Sequence, residues 1–135
     1  MDTETLVDHQ IKDGQRLVDE LQQRGLFEVT AAFWLKASDD GNWFFYIVSP
    51  IVDSEGITKA YRRLHPLVRA MPDPFWIDPL EIKLIGPSNV IAGDVMDIHG
   101  RSGGARVCPI WWGGKQLGNV SIEGAYLYPI PISTL

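Results

Sequence analysis

The sequence predicts an α+β fold, and three observations carry that expectation. Apolar residues recur at helical spacing over 4–24 and again over 57–71, apolar and polar positions alternate over 27–36, and aromatic and β-branched residues fill 43–49. Followed to the C-terminus, the elements order as α-β-β-α-β-α-β-β. That order suits a two-layer sandwich, with the helices on one face of a five-stranded mixed or antiparallel sheet.

In the first helix Val7, Ile11, Leu17, Val18 and Leu21 form the apolar stripe, Asp2 or Thr3 can cap the start, and Gly25 suits the left-handed residue that ends many helices. Gly14 weakens this helix slightly. Next, Phe27, Val29, Ala31, Phe33 and Leu35 point one way and Glu28, Thr30, Ala32, Trp34 and Lys36 the other, the pattern of a strand with one buried face. Turn residues from Ser38 to Asn42 close a hairpin between 26–37 and 43–49. Asp53 or Ser54 can cap a second helix whose stripe is Ile57, Ala60, Tyr61, Leu64, Leu67, Val68 and Met71. Pro66 falls inside that stripe and predicts a kink or break close to His65.

Pro72, Pro74 and Pro79 force a loop, after which Leu80, Ile82 and Leu84 alternate with Glu81 and Lys83 in a strand over 80–85. Ser88 is placed to cap a third helix with Ile91, Val95 and Ile98 buried, ending by Gly100. Strands over 106–112 and 117–128 complete the chain, with Gly124 suited to a bulge.

Composition bounds the functional classes. The 135 residues make one domain, 1–135, and 45% hydrophobic content with five Trp, four Tyr and five Phe is too rich for a disordered chain. Seventeen acidic residues against twelve basic ones, a net charge of −5, argue against nucleic acid as a partner. A lone cysteine, Cys108, cannot form an internal disulfide, and three dispersed histidines do not have structural zinc spacing. The acidic start, Met1 to Thr5, lacks the basic and apolar pattern of a secretory signal, and the apolar run from Trp43 to Val48 is far short of the roughly 20 residues that span a bilayer. The expectation is a cytoplasmic protein with no membrane segment and no cofactor.

The stretch Thr30-Ala31-Ala32-Phe33-Trp34-Leu35, then Trp43-Phe44-Phe45-Tyr46-Ile47-Val48-Ser49-Pro50 and Ala60-Tyr61-Arg62, resembles a family of small uncharacterised bacterial proteins. Ile82-Lys83-Leu84-Ile85-Gly86-Pro87 and Ile122-Glu123-Gly124-Ala125-Tyr126-Leu127-Tyr128 are similar to it as well. The resemblance implies a bacterial single-domain protein and brings no activity or site residue with it.

Two constellations point to function. Pro72-Asp73 followed by Glu81-Ile82-Lys83 has the letters of a nuclease motif in which Asp73 and Glu81 would hold a divalent metal and Lys83 would steady the developing charge on a phosphodiester. Its appeal is that Glu81 and Lys83 would leave one strand on the same face. The second is aromatic: if Trp34, Phe44, Tyr46 and Trp111 or Trp112 converge on a sheet face without helices, they form an apolar patch typical of an interface. This makes a non-catalytic module, working through a homodimer or a partner protein, the leading expectation, and a metal-dependent phosphodiesterase the alternative. A third possibility is a small-ligand pocket near His65 and Trp76. Ser102 has the letters of a nucleophile elbow, but it follows a helix and precedes a strand, the reverse of what that turn needs. Gly113 to Gly118 lacks the order of a phosphate-binding loop and reads as a hairpin turn.

Overall fold

A computed structural model describes residues 8–26, 28–37, 42–72, 75–101, 110–112, 116–117 and 120–128. In chain order the elements are α1 (Asp8–Gln23), β1 (Ala31–Ala37), β2 (Trp43–Val48), α2 (Pro50–Glu55), α3 (Ile57–Ala70), a 3-10 turn (Pro79–Glu81), β3 (Ile82–Ile85), α4 (Val90–Arg101), β4 (Ile110–Trp112), β5 (Gln116–Leu117) and β6 (Val120–Leu127). The fold is α+β.

Four strands carry the sheet in the order β3-β2-β1-β6, and the short segments β4 and β5 both pair with β6. β1 is antiparallel to β2 and to β6, whereas β2 and β3 run parallel, so the sheet is mixed. The parallel pair follows from the helical α2–α3 connection, since parallel neighbours need a long crossover. The expected five strands in the order α-β-β-α-β-α-β-β are not adopted. The stretch expected as one strand over 117–128 divides into β5 and β6, and two helices stand where one was expected. Ile82 begins β3 where the alternation suggested Leu80, because Pro79 opens a 3-10 turn first. The bulge expected at Gly124 is present: Lys36 pairs with Gly124 but Ala37 with Ile122. Glu123 is thus the extra residue, and its carboxylate lies 3.2 Å from the buried Lys36 ammonium.

The helix starts also differ from expectation. Ser49, not Asp53 or Ser54, caps the first of the two helices, its Oγ accepting from the Ile51 N–H at 3.3 Å. Gly56, at φ 94°, divides α2 from α3, a conformation that costs a residue with a Cβ dearly. Asn89 accepts from the Ile91 N–H at 2.8 Å and caps α4, while the Ser88 hydroxyl donates to Asp53 at 2.9 Å. α3 continues through Pro66 and does not end at His65. Buried Ala60, Leu64, Leu67 and Val68 hold both halves on one packing stripe, so tertiary burial outweighs the missing hydrogen bond.

Helices cover both faces of the sheet, which corrects the two-layer expectation. On one face, Leu17, Val18 and Leu21 of α1 and Ala60, Leu64 and Leu67 of α3 pack with Ala32, Trp34, Phe45 and Ile47. On the other, Ile91, Ala92 and Val95 of α4 pack with Phe33, Leu35, Val48, Ala125 and Leu127. The cause is in β1 itself, whose positions 31–35 are all apolar and buried, so each face has to be covered.

Candidate functional site

The aromatic residues expected to share an open face are separated by the sheet. Trp34 is 0% exposed, stacks on Phe45 at 5.0 Å and donates its indole N–H to the Tyr128 hydroxyl at 3.1 Å. That hydroxyl in turn donates to the Ile11 carbonyl of α1. Burial is the main reason the Tyr128 phenol is pushed far above its ordinary range, so it stays a neutral donor. Tyr46 lies on the opposite face, stacked on Phe33 at 5.1 Å, and Phe44 shares its side by strand alternation, opposite Leu35. Trp111 and Trp112 lie in β4, their Cα atoms opposite Tyr126 and Ala125. Trp34 is therefore a core residue, and no single face holds Trp34, Phe44 and Tyr46 together.

Among the described residues Ile57, Trp76, Leu80, Val90 and Met96 are the large apolar side chains that reach solvent, and the most exposed of them, Leu80, lies with Trp76 in the segment 75–81. Asp13 of α1, buried, accepts from the Trp76 N–H and pairs with Arg16 at 2.7 Å. Arg16 also donates to the Pro72 carbonyl at 3.1 Å and lies 5.7 Å from the centre of the Phe75 ring. Ile77 is buried, while Trp76 before it is 56% exposed and Leu80, three residues on, is 86% exposed.

Hydrogen bonds brace the turn that carries Leu80. Asp78-Pro79-Leu80-Glu81 forms a capping box in which Asp78 accepts from the Leu80 N–H at 2.8 Å and the Glu81 carboxylate accepts from the Asp78 N–H at 3.1 Å. β3 pairs with β2 only from Phe45 onward, so Trp43 and Phe44 extend past it and the turn stands at that end of β3. Two hollows result, both bordered by Leu80. One, of about 440 Å³, is lined by Trp43, Phe44, Asn42 and Gln10 and by Asp78 and Glu81. The other, of about 410 Å³, is lined by Tyr61, His65, Pro79, Ile82 and Lys83. Burial, and secondarily the Asp78 carboxylate, push the Glu81 carboxyl above its usual range, against the opposing pull of the Asp78 N–H.

The residues of the nuclease-like motif are not arranged as the sequence suggested. Asp73 lies outside the described residues. Glu81 belongs to the 3-10 turn rather than to a strand, and one of its carboxylate oxygens accepts from the Asp78 N–H of the capping box. Lys83 lies in β3 opposite Tyr46, with its ammonium 4.4 Å from the centre of the Phe44 ring. Glu81 and Lys83 therefore do not share one strand face. Among the described residues no three His, Cys, Asp or Glu side chains gather as metal ligands. His65 and Trp76 have different ring partners among the described residues: His65 packs on Tyr61 at 5.4 Å, whereas Trp76 packs on His9 at 5.0 Å. Ser102, Cys108 and the 113–115 turn lie outside the described residues.

Sequence reasoning missed Leu80 and the cleft beside it. The signal was present, because Asp-Pro-x-Glu is a capping-box pattern with proline at the first helical position. Strand alternation over 80–85 concealed it. Among the described residues no helix is long and apolar enough to cross a membrane. No family model, curated protein or solved structure matches the chain.

Proposed function

We propose that the protein is a non-catalytic assembly module in which two copies associate through the turn at Leu80. The observation that carries this reading is Leu80, 86% exposed on a braced turn and set among the apolar walls of two hollows, which Trp43, Phe44, Tyr61 and Ile82 line, so that it belongs to an apolar surface rather than standing alone. The second copy is the favoured occupant because projection and recess belong to the same surface. Leu80 stands beside the hollow lined by Tyr61, His65, Pro79 and Ile82. A two-fold contact requires such self-complementarity, each Leu80 entering the other copy's hollow. The contact surface thus moves from the central aromatic face, which is covered by helices, to the edge of the sheet. A cytoplasmic setting and kinship with small bacterial single-domain proteins belong to this reading and rest on the sequence.

The test is solution mass by light scattering over a range of concentrations, for wild type and Leu80→Asp. A wild-type dimer and a monomeric variant with an unchanged circular dichroism spectrum are expected. A wild type that is monomeric throughout, or a variant that dimerises as well as wild type, overturns the reading.

A further inference from the structure

The larger hollow beside Leu80 combines features that together specify a ligand. Its acidic groups, Asp78 and Glu81, are adjacent and fixed by reciprocal hydrogen bonds, so neither carboxylate can turn away to relieve the repulsion between them. Among the described residues neither has a cationic partner. Four other carboxylates do: Asp13 pairs with Arg16, Glu20 with Arg24, Glu55 with Arg63 and Glu123 with Lys36. Trp43, Phe44 and Leu80 supply apolar walls to the same hollow, and a volume of about 440 Å³ falls within the range of small-molecule sites. Uncompensated negative charge against aromatic walls calls for positive charge with an apolar body. The chain itself supplies an example, since the Lys83 ammonium rests 4.4 Å from the centre of the Phe44 ring.

We propose that this cleft binds an organic cation carried on an apolar stem, an ammonium or guanidinium group between Asp78 and Glu81 with its stem against Trp43, Phe44 and Leu80. A bare metal ion suits the cleft less well, because hard divalent ions need about six or more oxygen ligands and no cluster of three ligating side chains is present among the described residues. Gln10 and Asn42 also line the cleft. The inference shares Leu80 with the assembly reading but uses a different hollow, and ligand titration reads the one where solution mass reads the other.

Full-length protein is titrated with n-hexylammonium and, separately, with n-hexanol, following the Trp43 indole N–H resonance. Saturable binding of hexylammonium is expected, with hexanol at least about tenfold weaker, the size of effect that a charge-assisted hydrogen bond supplies. Asp78→Asn and Glu81→Gln each retain an acceptor for the capping box, so the turn survives, and each should weaken hexylammonium about tenfold. No saturable shift with wild type, equal binding of hexanol, or wild-type affinity in both variants overturns the proposal. A blocked Leu-Lys-Leu peptide distinguishes the source of the cation. Tighter binding than hexylammonium points to a basic side chain of a partner, and weaker binding points to a free amine.

Discussion

Gly14 shows at the scale of one residue how a local weakness serves packing. A glycine inside a helix costs roughly 0.5–1 kcal/mol relative to alanine. Here a Cβ would collide with the Tyr128 hydroxyl and lie 3.1 Å from Cζ of Phe45, so only glycine lets α1 approach the sheet this closely. Gly14→Ala should therefore destabilise by roughly 1–2 kcal/mol in urea unfolding, the overpacking cost exceeding the gain in helix propensity. A stabilised variant would sink this account. Glu81 gives a prediction of opposite character. Its folded-state pKa is raised, so between its unfolded and folded values the native chain binds more protons than the unfolded chain. Unfolding free energy contributed by this group therefore falls as pH rises through that window. Glu81→Gln keeps the acceptor for the Asp78 N–H and removes the slope, so its stability relative to wild type should rise from the ordinary carboxylate range upward. Parallel wild-type and variant stabilities from about pH 4 to 7 would refute this. Both residues were visible in the sequence, Gly14 as a helix weakness and Glu81 as a strand residue. Neither could be assigned its role there, because each role is defined by a partner that the fold brings to it.

At the scale of elements, α3 illustrates how packing overrides a local signal. Pro66 removes one backbone donor and crowds the preceding turn, yet the helix spans Ile57–Ala70 because buried residues flank the proline on both sides. Pro66 is exposed, as a residue that makes no core contact would be. Pro66→Ala should stabilise the protein by about 2 kcal/mol, from a helix preference of about 3 kcal/mol offset by up to about 1 kcal/mol of added freedom in the unfolded chain. A higher thermal midpoint is the readout, and a lower one would mean that the proline has a packing role. The element boundaries that the sequence misplaced share one cause. Ser49, Asn89 and Asp78 are each one of several neighbouring residues able to cap, and the choice among them depends on where the chain leaves the sheet. Asp53 and Ser88 were reasonable caps by residue type. In the fold they instead bond to each other, the Ser88 N–H and hydroxyl both donating to the Asp53 carboxylate.

For the whole molecule, the decisive fact is that β1 is buried on both faces. The sequence read Trp34 as a solvent-side residue because it alternates with Phe33 and Leu35, and a sheet with helices on one side leaves such a residue bare. With α4 on one face and α1 and α3 on the other, Trp34 becomes core. Trp34→Asp should consequently abolish the cooperative unfolding transition instead of releasing a folded monomer. Losing the buried ring alone costs about 3–5 kcal/mol, and an unpaired carboxylate in its place adds several more, against a total of about 5–15 kcal/mol for a typical domain. A folded, monomeric Trp34→Asp protein would restore the central face as the assembly surface. Leu80→Asp is expected to do the reverse, keeping the fold and changing only association.

Periodicity and turn chemistry, read from the sequence alone, determined the α+β class, the first hairpin, the long amphipathic helices and the bulge at Gly124. These follow from local rules, since a stripe or an alternation records which side of an element meets the core. Only the tertiary structure decided that both sheet faces are covered, that α3 runs through its proline, and that Leu80 stands exposed between two hollows. Those outcomes depend on contacts between segments far apart in the chain, such as Asp13 with Trp76 and Tyr128 with Ile11. A residue's own neighbours in sequence have no record of what will pack against it.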